Sequence, residues 1–129
     1  MAVRRIGHRG AKGHAPENTI AAFEAAISLG CDEVETDVWS LPEGLVIRHD
    51  PPGPADELAS ALTLDEVLDF CRGRVAVNVE MKCRGSEEAA AETGRRVAAR
   101  IAQRGGDEAY VSSFWWPALG AAAEVAPAV

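Results

Sequence analysis

The chain has 129 residues, of which 47% are hydrophobic and 26% charged, as is usual for one globular domain. Its formal net charge of -7 argues against nucleic acid or an anionic membrane surface as the main partner, because both attract basic proteins. The three cysteines are odd in number and lack the short spacing of a zinc site. No signal peptide and no membrane-spanning run is visible, so the sequence predicts a cytoplasmic protein with free thiols.

Strands and helices are predicted to alternate along the chain. The predicted strands cover residues 3–6, 31–39, 75–81 and 109–112, with a hairpin-like extension at 45–48. The predicted helices begin after Asn18 or Thr19, after Thr63, at Ser86 and at Trp116. Such alternation favours a parallel sheet in an α/β fold, and four strand–helix units make half of an eight-stranded barrel of roughly 250 residues. A small open α/β sheet fits the same pattern.

Polar residues cluster at the C-terminal ends of the predicted strands, which is the side where α/β proteins bind ligands. They are His8 and Arg9, Glu35 and Asp37, His49 and Asp50, and Glu80 and Lys82. Glu35 and Asp37 are two residues apart, so both point to one face of their strand, opposite residues 34, 36 and 38. Each pair alone is also typical of a polar loop or a surface ion pair, but their common position predicts one site. His14, in a glycine-rich loop, is interpreted as structural or solvent-exposed.

Three carboxylates at one site, from Glu35, Asp37 and Glu80, would repel one another. A divalent cation removes this conflict, and an all-oxygen ligand set suits Mg²⁺ or Ca²⁺ rather than zinc. The three negative charges then face four positive ones, from Arg9, Lys82 and the ion, which matches a phosphodiester monoanion. The two histidines supply a base and an acid near neutral pH.

These motifs and their spacing resemble the glycerophosphodiester phosphodiesterase family from about residue 4 to about residue 114. In chain order the motifs are HRG at 8–10, PENT at 16–19 with AF at 22–23, ETDV at 35–38, HD at 49–50 and EMK at 80–82. HRG followed by PENT is a rather specific pair, whereas E-x-D and E-x-K alone are weak signals. Residues 112–114 resemble the family's next strand.

The resemblance implies a TIM-barrel-type (β/α) fold, cut to about the first four βα units, with residues 1–129 forming part of one domain. It implies that Glu35, Asp37 and Glu80 bind one divalent cation. It implies that His8 and His49 are the general acid and base. It also implies that Arg9 and Lys82 bind the phosphate oxygens. The implied reaction releases glycerol 3-phosphate and an alcohol from a small glycerophosphodiester, after the substrate's own glycerol hydroxyl forms a cyclic phosphate.

The sequence departs from the family in two places. It ends after about half of a barrel, so both sheet edges are expected to be open and to favour self-association. The segment after the HD motif is short, which bears on the alcohol group that the site accepts. The readings left open are an enzyme whose barrel is completed by a partner or a second copy, a truncated and catalytically incompetent half-barrel, and a small α/β binding module. A phospholipase-type relative with two histidines is the nearest alternative enzyme.

Overall fold

The computed structural model describes residues 2–129 and places five strands in one sheet. The strands are β1 (Ile6–His8), β2 (Glu33–Leu41), β3 (Gly44–Ile47), β4 (Ala76–Lys82) and β5 (Ala109–Ser112). The sheet order is β1-β2-β4-β5 with these four strands parallel, and β3 pairs antiparallel with β2. The predicted parallel α/β arrangement is therefore confirmed, and the C-terminal ends of four strands meet at one edge of the sheet.

Three helices connect the parallel strands and start at capping side chains, and a fourth helix follows β5. They are α1 (Ile20–Ser28), α2 (Leu64–Cys71), α3 (Glu87–Arg104) and α4 (Trp116–Val125). The side chains of Thr19 and Ser86 each accept a backbone N–H from the first turn of the following helix. Thr63 and Glu66 form a reciprocal capping box at the start of α2. Of the two candidates for the first cap, Asn18 and Thr19, the structure uses Thr19. No helix within residues 2–129 is long and apolar enough to cross a bilayer.

The hydrophobic core lies between one face of the sheet and the helices. Val77, Val79 and Met81 alternate along β4 with less buried polar residues, and they share one apolar cluster with side chains from all four helices. Helices α3 and α4 pack closely because α3 has Gly94 at the crossing, where a Cβ atom would collide with the carbonyl oxygen of Ala118. The opposite face of the sheet is left for the polar residues of the candidate site.

The largest boundary difference concerns β1, which was predicted at residues 3–6 and lies at Ile6–His8. The apolar residues that suggested the earlier start are not core residues, since Val3 is 88% exposed and Ile6 is 52% exposed. The parallel ladder with β2 starts at Ile6 and ends where His8 lies beside Glu35. His8 is therefore held by the strand itself and not by the following loop. A short 3-10 turn at Leu58–Ser60 also lies within the predicted loop of residues 50–60.

Strands β1 and β5 form the two edges of the sheet, and each pairs with one neighbour among residues 2–129. Large apolar side chains are exposed on or near these edges, including Ile6, Tyr110 and Phe114. Unpaired strand edges can pair with other chains. The predicted self-association stays a prediction.

Candidate active site

Three carboxylates meet at the C-terminal ends of β2 and β4. Glu35 and Asp37 lie on β2, and the register of the sheet places Asp37 directly beside Glu80 of β4. One oxygen from each side chain lies within 4.8 Å of the other two. The side chain of Asp37 is 1% exposed and that of Glu35 is 10% exposed, because β2 is covered on both faces. The structure thus brings together the three carboxylates that the sequence pattern singled out.

Two buried oxygens of this cluster lack hydrogen-bond donors among residues 2–129. Burial and the neighbouring Asp37 carboxylate together raise the pKa of Glu35 to about 7. Within residues 2–129, Oε1 of Glu35 and Oδ1 of Asp37 are buried and accept no hydrogen bond, although the ammonium of Lys82 lies 3.5 Å from Oδ1. Buried carboxylate oxygens without a hydrogen bond are costly, and hard divalent cations are bound by oxygens of this kind. The residues present therefore fit a divalent cation at this position.

Two cationic side chains face the carboxylates. The ammonium group of Lys82 lies 3.0 Å from Oε1 of Glu80 and 3.5 Å from Oδ1 of Asp37. The Arg9 guanidinium donates hydrogen bonds to Glu17, and its Nε lies 3.6 Å from Oδ2 of Asp37. Both predicted phosphate-binding cations therefore lie beside the acidic cluster.

The backbone of the loop after β1 also donates a hydrogen bond to the acidic cluster. Arg9 has a positive φ of 54° and donates its backbone N–H to Oε2 of Glu35 at 3.0 Å. Gly10 follows with a φ of 77°, and a Cβ atom there would lie 2.6 Å from the backbone of Ala22 in α1. Only glycine tolerates both the backbone conformation and the close approach of the helix. This explains why glycine is the third residue of HRG.

Asn18 is a site residue that the sequence reading missed, since it was noted as a possible helix cap and as part of PENT but was given no role in the site. It is buried, has a positive φ of 55°, and donates from Nδ2 to Oδ2 of Asp37 at 3.0 Å. Its Oδ1 accepts a hydrogen bond from Thr36 at 2.9 Å. A signal was available in the sequence, because asparagine is among the few residues that adopt positive φ readily.

The two histidines differ in their surroundings. Nε2 of His8 lies 3.6 Å from Oε2 of Glu35, and burial together with the charges of Lys12 and Arg9 lowers the pKa of His8. The imidazole of His49 pairs instead with Asp50, with 2.8 Å between Nδ1 and Oδ1. His49 lines a cleft of about 320 Å³ together with Arg9 and Asn18, the two residues whose side chains lie against Asp37. His14 is exposed, as expected.

Residues 8–52 match the model of the glycerophosphoryl diester phosphodiesterase family. The family resemblance is confirmed. A glycerophosphodiester phosphodiesterase from Caldanaerobacter subterraneus is 52% identical over 46 residues, which are 35% of this chain and 19% of that relative. One from Bacillus altitudinis is 50% identical over 46 residues, with the same coverage. The matched segment includes HRG, PENT, ETDV and HD, whereas Glu80 and Lys82 lie outside it.

Solved structures of this enzyme class extend the likeness to nearly the whole chain. The glycerophosphodiester phosphodiesterase of Agrobacterium tumefaciens is 28% identical with a TM-score of 0.77, covering 98% of this chain and 64% of its own. A phosphodiesterase of Oleispira antarctica, solved with the product sn-glycerol-3-phosphate, is 25% identical with a TM-score of 0.81, covering 98% and 63%. The predicted fold class is confirmed, because these neighbours are TIM-barrel proteins and this chain covers part of their fold. The chain spans less than two thirds of the length of either neighbour.

Proposed function

We propose that this chain takes part in the metal-dependent hydrolysis of glycerophosphodiesters to glycerol 3-phosphate and an alcohol. The cluster of Glu35, Asp37 and Glu80 at the ligand-binding edge of the sheet carries the proposal, and the family match at residues 8–52 supports it. Residues 1–129 would form part of one such domain. The cytoplasm is the proposed location, where the three free cysteines would stay reduced.

In this proposal Glu35, Asp37 and Glu80 hold one Mg²⁺ or Ca²⁺ ion. Such an ion, when bound, polarises a phosphoryl group and lowers the pKa of an attacking hydroxyl. Arg9 and Lys82 bind the phosphate oxygens, the first as a planar two-pronged donor and the second as a point charge. Both cations lie within 3.6 Å of Asp37, so a phosphodiester that they bind lies next to the carboxylates.

His8 and His49 serve as the acid–base pair. The lowered pKa of His8 keeps its imidazole neutral near pH 7, which suits a group that accepts a proton. Asp50 accepts a hydrogen bond from Nδ1 of His49 and thereby leaves Nε2 for the substrate. The glycerol hydroxyl loses its proton to one histidine as its oxygen attacks phosphorus, and the leaving alcohol takes a proton from the other. Water then opens the cyclic phosphate through the reverse proton transfers.

The direct test is release of glycerol 3-phosphate from glycerophosphocholine by the purified chain, with Mg²⁺ or Ca²⁺ and with a chelator. We expect release that depends on the cation. Glu80→Gln should weaken cation binding measured by calorimetry, because it removes one of the three carboxylates. No release from protein that is folded by circular dichroism would contradict the proposed function for this chain.

Two histidine substitutions test the acid–base assignment. His8→Ala should abolish turnover and leave cation affinity near normal, because the imidazole is not among the proposed ligands. His14→Ala is the matched control, since it removes an exposed histidine from the loop that follows β1. Full activity in His8→Ala would show that the assignment is wrong.

We also propose that the open edges at β1 and β5 let the chain associate with a second copy. The exposed apolar side chains near both edges support this proposal. Light scattering should then report a mass above the 13.6 kDa of one chain. A monomer with a cooperative melt would contradict it.

A further inference from the structure

The loop that follows β3 and carries His49 is mostly exposed. Among residues 50–60, Pro52 is the one buried residue. Within the loop, Asp56 accepts hydrogen bonds from the backbone N–H of Gly53 and from Arg48. These bonds shape the loop but do not tie it to β2 or β4, which carry the carboxylates.

The backbone N–H of Arg48 donates to the carbonyl oxygen of Asp37, and Trp39 supplies a side-chain tie between β2 and the loop. It lies on β2 two residues beyond Asp37, so it shares the face of that carboxylate. Its side chain is almost fully buried, and its Nε1–H donates to the carbonyl oxygen of His49 at 3.3 Å. The backbone at His49 is therefore connected to the strand that holds Glu35 and Asp37.

Arg84 supplies the second tie, from β4. It follows that strand two residues beyond Lys82, and its guanidinium carbon lies 5.5 Å from the centroid of the Trp39 ring. This distance is within the range of a cation–π interaction. Nη1 of Arg84 also donates to the carbonyl oxygen of Pro52 at 3.2 Å. One exposed side chain thus covers the tryptophan and binds the loop at its buried residue.

We infer that Trp39 and Arg84 are positioning residues that fix the His49 loop against β2 and β4. The inference rests on the proposed function insofar as it gives His49 a catalytic role. Acid–base groups need placement to a fraction of an ångström, and a side chain on a loop needs support from residues outside the loop. Neither Trp39 nor Arg84 has to contact the substrate to act in this way.

The rate at which the Trp39 indole proton exchanges with solvent reports on its hydrogen bond to the His49 carbonyl, and this readout does not rely on activity. The chain has three tryptophans, so Trp39→Phe identifies the Trp39 signal by its loss from the indole region of an NMR spectrum. Arg84→Gln should speed exchange of this proton roughly tenfold, because a cation–π contact and a hydrogen bond are lost. Arg84→Lys, which keeps a cation and a donor, should restore part of the protection. Arg95→Gln removes an arginine whose ion pairs within residues 2–129 are with Glu88 and Glu92 of its own helix, and it should change nothing.

The kinetic readout uses the same variants. In Arg84→Gln and Trp39→Phe, kcat for glycerol 3-phosphate release should fall roughly tenfold with little change in KM, since placement of His49 is lost and phosphate binding is kept. Unchanged indole exchange in Arg84→Gln would overturn the inference, as would faster exchange with unchanged kcat. If the unsubstituted chain releases no glycerol 3-phosphate, the proposed function and the catalytic role of the tie both fail. Exchange alone then decides whether Arg84 holds the loop.

Discussion

The acidic cluster should make the metal-free chain less stable as the pH rises toward neutrality. The pKa of Glu35 is raised from its ordinary value of 4.5 to about 7 by burial and by the charge of Asp37. The folded chain therefore holds this proton more tightly than the unfolded chain does. Its contribution to stability is complete below pH 4.5 and is lost as the pH rises through about 7.

The size of the effect follows from the pKa difference. Each unit of pKa difference corresponds to about 1.36 kcal/mol, so the full shift of Glu35 corresponds to about 3 kcal/mol. Most of this contribution, about 2 kcal/mol of unfolding free energy, is lost between pH 5 and pH 7.5. A bound divalent cation should oppose this loss, because it stabilises the charged carboxylates. At a cation concentration of a hundred times its dissociation constant, binding adds about 2.7 kcal/mol to the free energy of unfolding.

Urea unfolding at pH 5 and pH 7.5 in the presence of a chelator measures the effect. Glu35→Gln removes the titrating group, so the unsubstituted chain should lose about 2 kcal/mol more than this variant over the same interval. Glu43→Gln, in the exposed turn between β2 and β3, is the matched control and should keep the full dependence. Equal pH dependence in the unsubstituted chain and in Glu35→Gln would refute the reasoning. A stabilisation by the divalent cation that is no larger at pH 7.5 than at pH 5 would also refute it.

Two further substitutions test the packing that holds the site. Gly94→Ala should cost about 1–3 kcal/mol of unfolding free energy in urea, because the new methyl group meets the Ala118 carbonyl where α3 and α4 cross. Gly120→Ala makes the same change in open space and should stabilise the chain by up to about 1 kcal/mol, so equal effects would contradict this account. Asn18→Ala leaves Asp37 without its amide donor and should cost about 1–3 kcal/mol while weakening cation binding in calorimetry. Unchanged stability and affinity in that variant would show that Asn18 does not support the carboxylate.

The strands that carry the carboxylates could be predicted because each leaves a local signal. β4 alternates buried apolar residues with polar ones, and Glu80 and Lys82 belong to the polar set. β2 is buried on both faces, yet its carboxylates still stand two residues apart and so share one face. Parallel pairing then places Asp37 beside Glu80 without further assumptions.

Contacts between distant segments could not be read in the same way. Trp39 looks like an ordinary apolar strand residue, and Arg84 like a surface residue after a strand. Their meeting depends on the register of β2 with β4 and on the path of the loop after His49, neither of which has a local signal. The early start assigned to β1 failed for a related reason, since apolar character alone does not show whether a residue at a sheet edge is buried.

The structure also gives a physical reason why HRG and PENT occur together. Each segment donates a hydrogen bond to one of the two site carboxylates of β2: the backbone N–H of Arg9 donates to Glu35, and the amide of Asn18 donates to Asp37. The segments are also tied to each other, because the backbone N–H of Asn18 donates to the Arg9 carbonyl and the Arg9 side chain donates to Glu17. A change that displaces either segment would therefore remove a hydrogen-bond donor from one of these two carboxylates of β2. The pair is more specific than E-x-D or E-x-K because it requires two loops that fit each other as well as the acidic strand.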